Sequence, residues 1–413
     1  MQQSRGLVMD IEQLGATIAK SAALRRKQIL QPVGGAGDKI FPPTYPGEGQ
    51  NEPPRHVYER RRLNGEDVWC VLIDSVQSQA NRLEESLLAA IADGLPIPHV
   101  AVDFSGSGLE GIERITSLEA PHRIYDAILR DSELDGVSFM KSEVGQRIAK
   151  AKPEDASALL EMSPTALLFG AWHSTGEGGG LGAKFARCLT SEIVGVGVPV
   201  DEEVNRRTGE VTMRTAGRRT GSRIDPLGVL RKVEVFQGED GWSTSEKGAG
   251  KKAKKVRPSE INHGNIAPSI QPLGVTCDHA EHSFVLSFAA LRRLRFGSPE
   301  KDTAARSLLA ALGLCALTEQ DSRGYSLRSR CDLVCDGAMP LELVHADGRT
   351  EAVTIDRETA RALYREAYSR AQAAGFNLAA DPLRLTPQQK LVEIVRKSQD
   401  LALDSEGGEA EDE

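Results

Sequence analysis

The sequence predicts an α/β or α+β protein, on three observations. Short β-branched, apolar runs such as "DVWCVLIDS" (67–75) and "HVAVDF" (99–104) have the composition of buried strands. Apolar residues at 76, 80, 83, 87 and 91, closed by Gly94, mark a helix directly after the first of these runs. Strand and helix patterns then keep alternating over several hundred residues, with no internal repeat.

In chain order, residues 8–30 carry the first helical pattern, which ends in "LRRKQILQP". A loop rich in Gly and Pro, "GGAGDKIFPPTYPGEGQNEPP", follows and contains Lys39. After the strand 67–75, its helix and the strand 99–104 come two helical stretches, 140–151 and 154–162. "TALLFGAW" (165–172) reads as a strand, a glycine-rich loop follows, and "AKFARCLTSEIVG" (183–195) reads as the next helix. "PLGVLRKVEVF" (226–236) suits a strand or hairpin arm, and "KGAGKKAKKVRPSE" (247–260) has the composition of a mobile linker. Order returns with the strand "HSFVLSFAAL", the helix "DTAARSLLAALGLCALTEQ", the strands "YSLRSRCDLVC" and "PLELVHA", and the helix "DRETARALYREAYSRAQAAG". Residues 400–413 carry seven acids and no base, the composition of a disordered acidic tail.

Composition narrows the class. The 413 residues allow two or three domains, or one core with large insertions. Hydrophobic residues at 40% fill an interior, and the longest apolar run, "SALLEMSPTALLFGAW", is broken by Glu161 and Pro164 and cannot span a bilayer. No signal peptide is evident, and six scattered cysteines read as reduced cytosolic thiols, so a cytoplasmic protein without a membrane partner is expected. Cys331 and Cys335 lack a second Cys or His pair at zinc spacing, so no metal is expected. The net charge of −8 hides an uneven distribution: residues 204–257 hold fourteen Lys and Arg against six acids, a local +8 that leaves −16 for the rest. Such a basic stripe on an acidic chain is either an electrostatic footprint for a polyanion or a solvated loop.

The loop "GAWHSTGEGGGLGAKFARCLTSEI" (170–193) sharpens the question of which anion is held, because glycines admit close backbone approach. A nucleotide-hydrolysing phosphate loop fails on spacing: Ala183 separates Gly182 from Lys184, and Phe185 replaces the hydroxyl that would hold magnesium. A dinucleotide fingerprint fits better, with Gly178, Gly180 and Ala183 before an expected helix and Asp201 beyond it. That match makes a nicotinamide-dependent oxidoreductase the alternative function. The third reading is the backbone of a polynucleotide.

"FPPTYPG", "LIDSVQSQANRLEESL", "SLEAPHRIYDAILRDSELDG", "ALLFGAWHSTGEGGGLGAKFARCLTSEIVG" and "FVLSFAALRRLRF" favour the third reading by resemblance. Together they resemble the CRISPR-associated RAMP-superfamily backbone subunit of type I-G (formerly I-U) effector complexes, over about residues 20–375. The resemblance implies an α+β fold: a modified RRM-like, ferredoxin-like antiparallel sheet with large inserted finger and thumb segments. It implies one core over 1–399, with a basic thumb-like or mobile insertion at 201–260 and the tail beyond 399. The implied role is non-catalytic. Copies stack along CRISPR guide RNA beside the other subunits of a type I surveillance (Cascade) complex, and the guide pairs with the target DNA strand in antiviral defence. No cofactor is implied.

A subunit that holds guide RNA of any sequence should contact phosphate and sugar and leave the base edges free. Ser174, Gly176, Gly178, Gly179, Gly180 and Gly182 would bring backbone N–H groups to phosphates, with Lys184 and Arg187 one helical turn apart adding charge. Ser75, Gln77, Gln79 and Arg82 would offer donors where a strand hands over to a helix, unless they form an ordinary N-cap and polar helix face. Arg25, Arg26, Lys39, His122 and Arg123 are further candidates, as are Arg206, Arg207, Arg218, Arg219 and Arg223 in the basic insertion. Trp172 and Tyr125 suit base stacking or core packing. No Asp or His, His173 included, is singled out for catalysis.

Overall fold

A computed structural model describes residues 7, 9–47, 54–173, 184–204, 207, 211–214, 218–219, 224–239, 241–265, 270–271 and 273–406. The first helix, α1, covers only Ile11–Lys20, opened by a capping box between Asp10 and Gln13. "LRRKQILQP" is not its continuation. It is strand β1, Ala23–Pro32, in which Leu24, Arg26, Gln28 and Leu30 turn inward while Arg25 and Lys27 turn outward. Two of those inward positions are polar, so the period-two pattern is hard to see in a run of good helix formers.

Among the described residues nine strands form one antiparallel sheet. Besides β1 these are β2 (Tyr58–Leu63), β3 (Glu66–Asp74), β4 (Leu189–Val196), β5 (His279–Ser287), β6 (Tyr325–Arg328), β7 (Cys331–Cys335), β8 (Leu341–Val344) and β9 (Thr350–Val353). Helices α2 (Val76–Ala92) and α3 (Pro299–Arg323) pack on each other and on the inner face, with α4 (Arg357–Ala373) against α3. The core elements run β1-α2-β4-β5-α3-β7 along the chain. The strands lie in the spatial order β7-β1-β5-β4, every pair antiparallel. Fourth, first, third, second is the order of a ferredoxin-like sheet. The fold is therefore α+β with an RRM-like core, as the resemblance implied.

Three insertions enlarge this core. The β2–β3 hairpin extends the sheet beyond β4. Residues 93–188 carry a second, five-stranded sheet built with Val100–Asp103 and Leu383–Pro387. Residues 197–278 replace the tight turn that would join β4 to β5. Contacts divide the chain into two compact units, Met1–Pro199 with Val275–Val392, and Val200–Gly274 with Glu393–Glu413. The second contains the pair Asp201–Val204 with Val211–Arg214 and a three-stranded sheet centred on Val235–Gly238. The last helix spans Gln389–Glu406, so the acidic run starts as helix where the sequence suggested a disordered tail.

Two local expectations are corrected. "TALLFGAW" begins as a helix, Pro164–Phe169, with proline at its start, and turns at Gly170 (φ +85°) into the short strand Ala171–Trp172. "AKFARCLTSEIVG" is not a helix but the strand Lys184–Phe185 followed by β4. Among the described residues no helix is long and apolar enough to cross a membrane.

Candidate nucleic-acid interface

An RRM-like sheet often stacks bases on outward aromatics. Here the outward residues of β1 and β5 include no Phe, Tyr or Trp. Their charges are matched: Arg25 Nε donates to Glu342 at 2.8 Å, and Lys27 Nζ to Glu281 at 2.8 Å. On these strands the open face therefore offers for stacking one imidazole, His279, at the strand end, and its Arg and Lys charges are spent.

Ser174, Gly176, Gly178, Gly179, Gly180, Gly182 and Ala183 lie outside the described residues, but both ends of their segment are defined. Ala171 pairs with Phe185 and Trp172 with Lys184, antiparallel. A strand, not a helix, thus follows the glycines. A dinucleotide fingerprint needs a helix N-terminus there to receive the pyrophosphate, so the oxidoreductase alternative loses its physical basis. Lys184 and Arg187 likewise do not share a helical turn; they sit on a strand and the link after it.

What the stem presents is an open cationic and aromatic surface. Trp172 is 58% exposed. The Lys184 Nζ lies 5.9 Å from its ring centroid, within cation–π range, and is itself exposed. Arg187 is exposed and has no acidic partner among the described residues. Partial desolvation and the neighbouring Arg123 lower its pKa. Unspent positive charge beside an exposed indole suits a nucleic-acid strand, one group meeting phosphate and the other a base face.

Below this surface, Arg123 is buried and does not reach solvent as expected. Its Nε and Nη2 donate to the two carboxylate oxygens of Glu84 at 2.8 and 2.7 Å, and Nη1 donates to Gly170 O at 3.2 Å. Burial pushes the Glu84 carboxyl up to about 7, against the pull of the guanidinium. His122, next to it, is exposed; its backbone N–H donates to Asp126 and its backbone carbonyl accepts from Tyr125 N–H at 3.2 Å. His173 is buried and stacks on Tyr125 with ring centroids 4.7 Å apart and planes 4° from parallel, and both rings are therefore core groups.

The other candidates at the end of β3 form a different cluster. Ser75 caps α2, accepting from Ser78 N–H at 3.2 Å. Gln79 is fully buried, so its amide cannot meet RNA: Nε2 donates to Asp74 at 2.7 Å, while Oε1 accepts from Ser191 and Gln320, each at 3.2 Å. Arg82 Nε donates to the same Asp74 at 2.9 Å, and its Nη2 to Leu327 O. Gln77 alone of the four is exposed. The ordinary reading, an N-cap and a satisfied polar face, holds for Ser75, Gln79 and Arg82. Arg26 is also spent inside, with its Nη1 and Nη2 on Asp321 at 2.5 and 2.8 Å. Lys39 is half-buried in its loop. In the basic insertion, Arg206 and Arg223 lie outside the described residues, and Arg207 is exposed in a turn. Arg218 and Arg219 pair by backbone with Gln271 and Ile270.

Sequence reasoning offered Asp74 only as an alternative N-cap and missed it as the buried acceptor for Gln79, Arg82 and Arg328; it also missed Glu84 as the partner of Arg123, and Gly170 as the turn behind Trp172. Glu84 had a signal: it lies four residues after Ala80, on the apolar face of α2, where an unpaired carboxylate would be costly. A Ser191–His282–Tyr325–Asp321 chain was also unforeseen. Ser191 Oγ lies 2.7 Å from His282 Nε2, Tyr325 Oη lies 3.0 Å from Nδ1, and Tyr325 donates to Asp321 at 2.6 Å. It has the residue types of a nucleophile relay, but Ser191 and His282 are buried. Desolvation and nearby Arg26 drive the imidazole down to about 3 and keep it neutral. Within this chain it acts as a buried polar brace.

A family model described as CRISPR-associated protein GSU0053 matches residues 24–200. The matched span runs from β1 past β4 and contains Glu84, Arg123, Trp172, the glycine segment, Lys184 and Arg187. The match supports a CRISPR-associated protein. No curated protein matches the chain.

Proposed function

We propose that this chain is a non-enzymatic guide-RNA-binding backbone subunit, of the RAMP-superfamily type found in type I-G effector complexes. Copies of it would line a guide RNA that pairs with target DNA. The observation that carries the reading is the exposed Trp172–Lys184–Arg187 surface where the glycine segment meets the RRM-like core. Lys184 and Arg187 would neutralise phosphates, Trp172 would stack on a base of any identity, and the intervening glycines would let backbone N–H groups approach the strand. None of these contacts reads a base edge, as a subunit serving many guides requires.

The test is equilibrium binding of single-stranded RNA across a salt series. For the parent protein, log K should fall linearly with log salt and vary little with sequence. Lys184→Ala should remove one phosphate contact and lower the slope by about 0.7. Trp172→Ala should weaken binding by about 1 to 3 kcal/mol without changing the slope. Salt-insensitive binding, or binding restricted to one sequence, would overturn the proposal.

A further inference from the structure

Arg123 was expected to meet RNA and is instead buried; its surroundings give it another task. The turn Arg123–Tyr125 grips the strand Ala171–Trp172 from both sides. At one end Arg123 Nη1 donates to Gly170 O, and at the other Tyr125 stacks on His173. The grip is itself anchored, since Glu84 holds Arg123 by two bonds from α2 and Tyr125 Oη donates to Ile148 O at 3.2 Å. Arg123 adopts φ +54°, a backbone state that a non-glycine residue holds only when its surroundings require it. Gly170 adopts φ +85°, and a Cβ there would stand 3.1 Å from Phe185 O and 3.0 Å from Arg187 Cγ. The chain thus crosses the 185–187 segment too closely for a side chain to fit without a shift, at the residue Arg123 holds.

We infer that Arg123 is a positioning residue for the nucleic-acid interface: it fixes Gly170, and through it the stance of Trp172 and Lys184, without touching the strand they bind. A guanidinium is needed because one fork must face the Glu84 carboxylate while a third nitrogen reaches Gly170, which the single ammonium of lysine cannot do. Glu84 lets that guanidinium sit among apolar groups, 5.6 Å from the Phe169 ring centroid. The inference rests on the RNA-interface reading above.

The test uses the full chain carrying Trp69→Phe and Trp242→Phe, so that Trp172 is the only indole. In this background Arg123→Met with Glu84→Leu exchanges a buried ion pair for apolar groups, a change that often leaves stability unaltered, and deletes the bond to Gly170. Two measurements follow: acrylamide quenching of Trp172 without RNA, and affinity for single-stranded RNA. The expected result is a parental melting temperature, altered quenching, and RNA affinity lower by roughly tenfold, the loss of about one stacked base. Arg123→Lys, which keeps the charge beside Glu84, serves if the double variant does not fold and should move both readouts the same way. Parental quenching with parental affinity would overturn the inference, and so would altered quenching with parental affinity. If the parent binds no RNA, the proposed function fails, while the quenching arm still decides whether Arg123 sets the position of Trp172.

Discussion

Asp74 is the group whose replacement should reveal most about this core. Its carboxylate is fully buried and accepts from four side chains: Ser78 Oγ at 2.7 Å, Gln79 Nε2 at 2.7 Å, Arg82 Nε at 2.9 Å and Arg328 Nη2 at 3.0 Å. Asp74→Asn keeps the shape, removes the charge and turns one acceptor into a donor. Ser78 can rotate to accept from the new amide, but Gln79 and the two arginines offer only donors at these contacts. One arginine or the glutamine must then face an N–H group, and both guanidinium groups lose their buried counter-charge. Breaking a buried pair by removing one partner costs about 3 to 5 kcal/mol. Ser78 recovers part of this, so about 3 kcal/mol is expected. In urea unfolding followed by circular dichroism, that should lower the midpoint by roughly 1 M at m near 3 kcal/mol/M. Arg82→Ala should destabilise in the same assay and leave RNA affinity within about twofold. A loss below about 1 kcal/mol for Asp74→Asn, or a large RNA defect in stably folded Arg82→Ala, would refute the assignment of this cluster to the core.

Two further outcomes follow from single positions. His282 titrates near 6.5 in an unfolded chain and at about 3 when folded. Between those values the unfolded state binds a proton that the folded state refuses, so stability is lost as pH falls, by up to about 1.4 kcal/mol per unit. His282→Gln should flatten the stability profile between pH 6 and 4; an unchanged slope there would contradict it. Gly145 lies in the helix Glu143–Ala149, where alanine ordinarily stabilises by about 1 kcal/mol. Here a Cβ would stand 1.9 Å from Phe139 O, so Gly145→Ala should instead cost about 1 to 3 kcal/mol and lower the melting temperature. A raised melting temperature would contradict this.

Long amphipathic or apolar runs made α2, α3 and α4 legible, β3 announced itself by β-branched composition, and β5 by its apolar run "FVL". β1 did not, because Arg26 and Gln28 occupy inward positions, and their reason for being there, Asp321 and the backbone of Ile29 and Gly337, lies elsewhere in the sequence or in the chain itself. The segment after the glycines failed for a related cause. Lys184, Arg187 and Ser191 obscure alternation along 184–196, while Ser191 points inward to a histidine 91 residues away. At the candidate site, the residue types were found and the division of labour was not. Arg123 and Lys184 look alike in one dimension; only the fold shows that one has a buried carboxylate and the other an exposed indole. The family resemblance carried the strand order, which no local periodicity contains.

The strand order also sets a timetable for synthesis. β1 is finished when residue 32 leaves the ribosome, yet its neighbour β5 starts about 250 residues later, and β7 later still. At about 5 to 20 residues per second, the central strand waits roughly 12 to 50 s with both edges unpaired. An unpaired edge is a template for pairing with another chain. The charges on its outward side, Arg25 and Lys27, are held by Glu342 and Glu281 in the finished sheet, but in the nascent chain they stand free. Alternating cations on a waiting strand repel a second copy of the same strand, so Arg25, which reads as an RNA ligand in the sequence, and Lys27 beside it guard the chain while it is being made.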